Sequence, residues 1–218
     1  MRIIPTLLFV AISISANAQN CLKASGNSAR DIVPTGWELQ EQTGDLNKDG
    51  IADLVVIATP DKKENIMVRE DGYQINMNRP ILAIYKGRTN GHYSLWKSYE
   101  EVLPVRDEFI TYDYLIGITD RGVLTIGITS FASAGSWQNS DATYLYRYQN
   151  GDFHLIGKDD TNMARNTGET EINSYNYLTF RHQKITYNEF NKSVKRKETW
   201  NKLPKTPLEK LGSMELLP

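Results

Sequence analysis

The feature that most constrains this chain is the grain of its apolar residues. From Trp37 onward they come in runs of strand length, rich in β-branched and aromatic side chains, with Gly, Asn, Asp and Pro between the runs. Ala52 to Thr59 (ADLVVIAT) is almost continuously apolar, which suits a strand covered on both faces. Ile81 to Tyr85 and His92 to Trp96 flank a turn containing Asn90-Gly91. Thr143 to Tyr148 and Asp152 to Ile156 flank Asn150-Gly151, a dipeptide that accepts the positive backbone dihedrals of a tight hairpin. The two hairpins make a weak internal repeat, with Tyr93 and Leu95 answering Phe153 and Leu155. Gly122 to Phe131 reads as a further strand, and Tyr175 to Tyr187 with Ser193 to Trp200 as a last, more polar pair. Residues 60–80, bounded by Pro60 and Pro80, read as a surface excursion. After the N-terminus no segment has the length of a stable amphipathic helix, although Tyr99 to Val105 and Pro207 to Leu211 have room for a turn or two. The expected fold is all-β and antiparallel, its hairpins forming a sandwich or a partial propeller-like arrangement with little helix.

The N-terminus has a different character. Met1-Arg2 leads into an apolar run from Ile3 to Ile14 that ends in Ser15-Ala16-Asn17-Ala18. A short positive start, an apolar stretch too short to span a bilayer, and small residues at Ala16 and Ala18 predict a secretory signal peptide over 1–18, cleaved after Ala18. Residues 19–34 then read as a flexible leader and 35–218 as a single β-domain, periplasmic or secreted, with no later membrane span. The one cysteine, Cys21, has no internal partner. Gln19-Asn20 puts a bulky amide where a lipoprotein signal needs a small residue, so Cys21 reads as a free thiol rather than a lipid anchor. Removing Arg2 leaves 24 basic residues against 26 acidic, a net charge of −2 that does not steer the chain to nucleic acid.

One stretch carries readable chemistry. Asp45-Leu46-Asn47-Lys48-Asp49-Gly50-Ile51-Ala52-Asp53 follows D-x-N-x-D-G-x-x-D. Oxygens at alternate positions, Asp45, Asn47 and Asp49, can curl round a hard cation such as Ca2+. Gly50 allows the sharp turn, Ile51 offers its carbonyl and Asp53 adds a carboxylate. Leu46 and Lys48 occupy the alternate positions, expected to point outward. An EF-hand would need a Glu at loop position twelve, where this chain has Val56 inside a strand-like run. The loop running straight into an apolar strand (GDLNKDGIADLVVI) resembles instead the FG-GAP or VCBS-type repeat over residues 43–58. That resemblance implies calcium held by Asp45, Asn47, Asp49, Asp53 and the Ile51 carbonyl. Such loops recur once per propeller blade in that family, whereas this chain has one.

Other candidates are weaker. Ser130 to Asp141 sets small residues around Trp137, and Trp137 with Gln138, Asn139 and Asp141 could form a ligand-binding loop for sugar or peptide. Burial of Trp137 at one end of the sheet is the plainer reading, and Trp37, Trp96 and Trp200 are core candidates. His92, His154 and His182 carry no motif, and the basic run from Lys192 to Lys210 reads as an edge strand guarded by lysines. These features favour a non-catalytic, calcium-stabilised binding or interaction module, its partner a cell-envelope polysaccharide or a protein. The alternative is an envelope hydrolase or carbohydrate-active enzyme with its site assembled from loops.

Overall fold

Residues 21–132, 134 and 136–218 are described here from a computed structural model; the expected signal segment and residues 19 and 20 lie outside them. Every residue of the ADLVVIAT run from Asp53 to Thr59 is buried, and the architecture is built around that strand. The strands are β1 (Ser25–Gly26), β2 (Glu38–Gly44), β3 (Asp53–Thr59), β4 (Ile66–Val68), β5 (Gln74–Asn76), β6 (Ile81–Gly87) and β7 (Tyr93–Tyr99). They continue with β8 (Ile110–Ile118), β9 (Val123–Ala132), β10 (Gln138–Gln149), β11 (Asp152–Ala164), β12 (Glu169–Asn176), β13 (Arg181–Asn188) and β14 (Lys197–Lys202). One sheet runs β1-β7-β6-β3-β2 and a second, seven-stranded one runs β14 to β8 as a meander, with β4 and β5 as a separate pair. All pairings are antiparallel, and the arrangement is sandwich-like with one curled sheet.

The two faces of β3 explain its unbroken apolar run. On one, Val55 and Ile57 with Leu82 and Ile84 of β6 pack against Ile126, Ile128, Tyr144, Tyr146 and Phe153 of the large sheet. On the other, Leu54, Val56, Ala58 and Tyr85 are covered by Ile32, Val33 and Trp37. Ile32 belongs to a single helical turn, α1 (Ala29–Ile32), whose start is capped by the Ser28 hydroxyl accepting from the Asp31 N–H at 3.2 Å. Full burial of an Ile or Val contributes about 1.5–3 kcal/mol, which fastens this segment to the sheet. Packing thus begins well before residue 35: residues 21–34 belong to the fold where the apolar pattern suggested a flexible leader. The reason is that Leu22, Ile32 and Val33 supply the cover that a strand buried on both faces needs.

Other elements differ from the pattern in detail. The apolar pattern does not mark β8, because its Tyr, Asp and Thr residues dilute the signal. Tyr175 to Tyr187 is two strands, since Asn176 accepts the N–H groups of Leu178 and Thr179 and turns the chain there. Neither Tyr99–Val105 nor Pro207–Leu211 is helical. The C-terminal segment instead crosses the sandwich, with Leu211 and Leu216 buried and the Leu217 carbonyl accepting from the Tyr144 hydroxyl at 2.6 Å. Trp37 is in the core and Trp96 packs partly against it, but Trp200 is 59% exposed on β14. Its strand is the free edge of the large sheet, beyond the reach of the small one.

Candidate functional site

The loop from Asp45 to Ala52 joins two neighbouring strands, β2 and β3, and rests on the β8–β9 turn. Gly122, at φ +69°, lies so close that a Cβ there would stand 2.7 Å from the Asp45 carbonyl. Leu46 is only 2% exposed and packs into the main core, so it points inward, contrary to the expected outward position. An apolar side chain there anchors the loop, while Lys48 stays exposed at φ +62°. Gly50 takes φ +83°, as the turn requires.

The loop's acids are organised by backbone donors. Asp45 accepts from the Asp49 and Gly50 N–H groups at 3.1 and 2.8 Å, Asn47 accepts from Asp49 N–H at 3.0 Å, and Asp49 accepts from Ile51 N–H at 3.0 Å. The second Asp49 oxygen meets the Asn47 amide at 3.0 Å and the Lys86 ammonium at 3.2 Å. Desolvation pushes the Asp49 carboxyl upward, but the Ile51, Asn47 and Lys86 donors outweigh it and hold its pKa below the ordinary value.

Asp53 differs from the rest. Its side chain is completely buried, one oxygen accepting from Leu46 N–H at 3.1 Å and the other from Gly87 N–H at 3.0 Å. Gly87 must be glycine, because a Cβ would run into the Ala52 carbonyl. No side-chain cation pairs with Asp53 among the described residues. Burial, and after the two backbone donors the nearby Asp49 and Asp45 charges, leave its pKa raised. Three carboxylates, one of them the buried Asp53 without a counter-charge, and an amide oxygen form a donor set of the kind a hard cation takes. Among the described residues no three acids or histidines are already drawn together in metal-holding geometry, and Lys86 supplies the local positive charge.

Trp137, Gln138, Asn139 and Asp141 do not converge. Trp137 is 64% exposed rather than a plug, with the Arg165 guanidinium 5.8 Å from its ring centre and 4.7 Å from that of Phe131. Arg165 also donates to the carbonyls of Ala132 and Ser136 and so binds this loop to the end of β11. Strand alternation sends Asn139 and Asp141 to one face of the sheet and Gln138 to the other. Asp141 is occupied by the Thr129 hydroxyl at 2.6 Å.

A polar array missed in the sequence lies on the core-side face of the large sheet, where it outruns the small one. Asp160 and Asn173 are buried and stand opposite each other on β11 and β12. The Asn173 amide donates to Asp160 at 2.9 Å and to Glu171 at 3.1 Å, and its oxygen lies 2.9 Å from His182 Nε2. Because an amide oxygen only accepts, Nε2 carries the proton. Tyr175 stacks on the imidazole at 4.4 Å, and Lys184 pairs with Glu171 at 2.7 Å. The lysine first, then the Asn173 amide, hold the Glu171 carboxyl below its usual value. The three residues span 160 to 182 with no motif spacing; only the registers of β11, β12 and β13 unite them. The histidines otherwise sit apart: His92 Nδ1 is 3.0 Å from Asn27 Oδ1, and His154 lies in a bridge with Lys210.

Compared with models of known families, with curated proteins and with solved structures, the chain matches none.

Proposed function

We propose that the protein is an exported β-protein stabilised by calcium that acts as a non-catalytic binding or interaction module, periplasmic or secreted, toward a cell-envelope polysaccharide or protein. The observation that carries this reading is Asp53, a fully buried carboxylate with two backbone donors and no cationic side chain among the described residues, at the end of a loop of acids. Asp45, Asn47, Asp49 and Asp53, with the Ile51 carbonyl, would hold the ion. Bound there, calcium supplies the positive charge that Asp53 lacks. Lys86 is 38% exposed and can give up its partner cheaply, since surface pairs are worth about 0–1 kcal/mol. Export is supported by the apolar run and small residues of 1–18.

The test is the thermal midpoint of the mature protein with calcium and with chelator, in the parent and in Asp49→Ala. Binding to the native state alone stabilises by about 2.7 kcal/mol when free calcium is a hundred times Kd. A rise in the parent that is absent in the variant is expected. A parent midpoint indifferent to calcium sinks the calcium reading.

A second reading, an envelope hydrolase or carbohydrate-active enzyme, is favoured by the Asp160, Asn173 and His182 array. A buried carboxylate that orients an amide, which in turn orients an imidazole, fixes a tautomer as general acid–base groups require. Release of reducing ends from envelope glycans that disappears in His182→Ala would move the protein to this class.

A further inference from the structure

The face of the large sheet turned away from the core carries a row of residues that no motif joins. Register places Thr143, Asp159, Ser174, Gln183 and Trp200 side by side across β10 to β14. At about 4.8 Å per strand this row is about 19 Å long. Trp200, at its outer end, is 59% exposed, and its orientation is set by neighbours. The indole N–H donates to Glu198 at 2.8 Å, and the same Glu198 oxygen accepts from the Gln183 amide at 2.8 Å. With its N–H spent on the protein, the indole can offer a ligand only its apolar face.

Beside it lies an open groove of about 580 Å³, which Trp200, Gln183, Ser174, Asp159, Arg147 and Arg181 help to line. Gly157 keeps the floor low at the bulge between Leu145 and Tyr146. Neither Arg147 nor Arg181 has an ion pair or a side-chain hydrogen bond among the described residues. A second hollow on the same face, past the row of Ile185 and Glu198, is flanked by Lys192, Lys195 and Arg196.

We infer that this face is a glycan-binding platform for a linear polysaccharide bearing carboxylate groups, with Trp200 as stacking surface and Arg147 and Arg181 as carboxylate partners. The inference rests on the binding-module reading and supplies its ligand class. A guanidinium fork matches a carboxylate bidentately, and two unpaired forks in one groove favour an anionic unit over a neutral one. Asp159, Ser174 and Gln183 suit sugar hydroxyls, which both donate and accept. A glycan is favoured over a DNA strand because Asp159 can accept from free sugar hydroxyls, which a DNA backbone lacks, and the lysines of the second hollow extend the positive track for a chain longer than one or two units.

The experiment is calorimetric titration of the full mature chain with a hexamer of galacturonic acid, its methyl ester, and an oligothymidylate of equal charge. The acidic hexamer is expected to bind, and Trp200→Ala and Arg181→Ala each to weaken it by about tenfold or more. The methyl ester is expected to lose a similar factor, and Trp137→Ala to change little. Absence of binding by the parent, equal affinity in Trp200→Ala, or an oligothymidylate that binds as tightly as the hexamer would each overturn the assignment. Calcium dependence of the thermal midpoint, measured on the same samples, separates failure of this site from failure of the calcium reading. Unchanged midpoints in the variants show that they fold.

Discussion

Two buried carboxylates, Asp53 and Asp160, are held in opposite ways. Asp53 is gripped by backbone N–H groups of Leu46 and Gly87 and has no side-chain cation among the described residues. Asp160 is gripped by side chains, the Asn173 amide at 2.9 Å and the Lys158 ammonium at 3.7 Å. Backbone donors cannot move away when their acceptor is lost, whereas a lysine on a flexible stem and an amide with a second acceptor can find other partners. The first carboxylate therefore belongs to the framework of the fold, and the second to a patch that tolerates change.

The comparison is broken most directly by truncating each acid in turn. Asp53→Ala leaves two buried N–H groups unmet at about 1–3 kcal/mol each, so a loss of about 3 kcal/mol in urea unfolding is expected, along with any calcium response. Asp160→Ala should cost only about 1 kcal/mol, because Asn173 keeps Glu171 and Lys158 can settle over the Tyr144 ring, 5.0 Å away. Equal losses at the two sites would show that the nature of the donor does not matter here.

Acid titration sharpens the contrast. Without calcium, the raised pKa of Asp53 means that the native state binds a proton more readily than the unfolded chain. Its contribution is then fully present below the ordinary value of 3.8 and is lost as pH rises through the raised value. With calcium bound the sign reverses, since a cation favours the charged form and acid expels it. Asp152 gives an internal reference. Hydrogen bonds from Lys210 and Lys97 hold its pKa at about 2, so its contribution is present above 3.8 and lost as pH falls toward 2. Asp152→Asn should remove that acid loss and leave the calcium-dependent reversal intact, as followed by midpoints across the acid range.

The smallest effect is expected where the site is most exposed. Trp200→Ala should change stability by no more than about 0.5 kcal/mol, because β14 is the edge strand and Trp200 is largely exposed on it. A loss several times larger in denaturant unfolding would mark Trp200 as part of the framework instead.

Legibility in the sequence followed the range of the interactions involved. The β3 strand, the Asn150-Gly151 turn with φ +52° and +87°, and the acids of residues 45–53 were readable because each depends on neighbours along the chain. The inward position of Leu46 is not legible, because loop alternation cannot reveal that the β8–β9 turn lies beneath it. The core placement expected for Trp200 failed for a related reason: aromatic character predicts burial only where a second layer is available, and the small sheet ends before β14.

The sequence by itself determined that the chain forms antiparallel strands and that acids gather between β2 and β3, because strand periodicity, turn dihedrals and short loop spacings are local properties. Only the tertiary structure decided which acid would be buried without a cation, that Asp160, Asn173 and His182 would meet, and that Trp200 would face solvent beside two arginines. Those outcomes depend on strand register and on where one sheet stops covering the other, and both are settled by packing between residues distant in the chain.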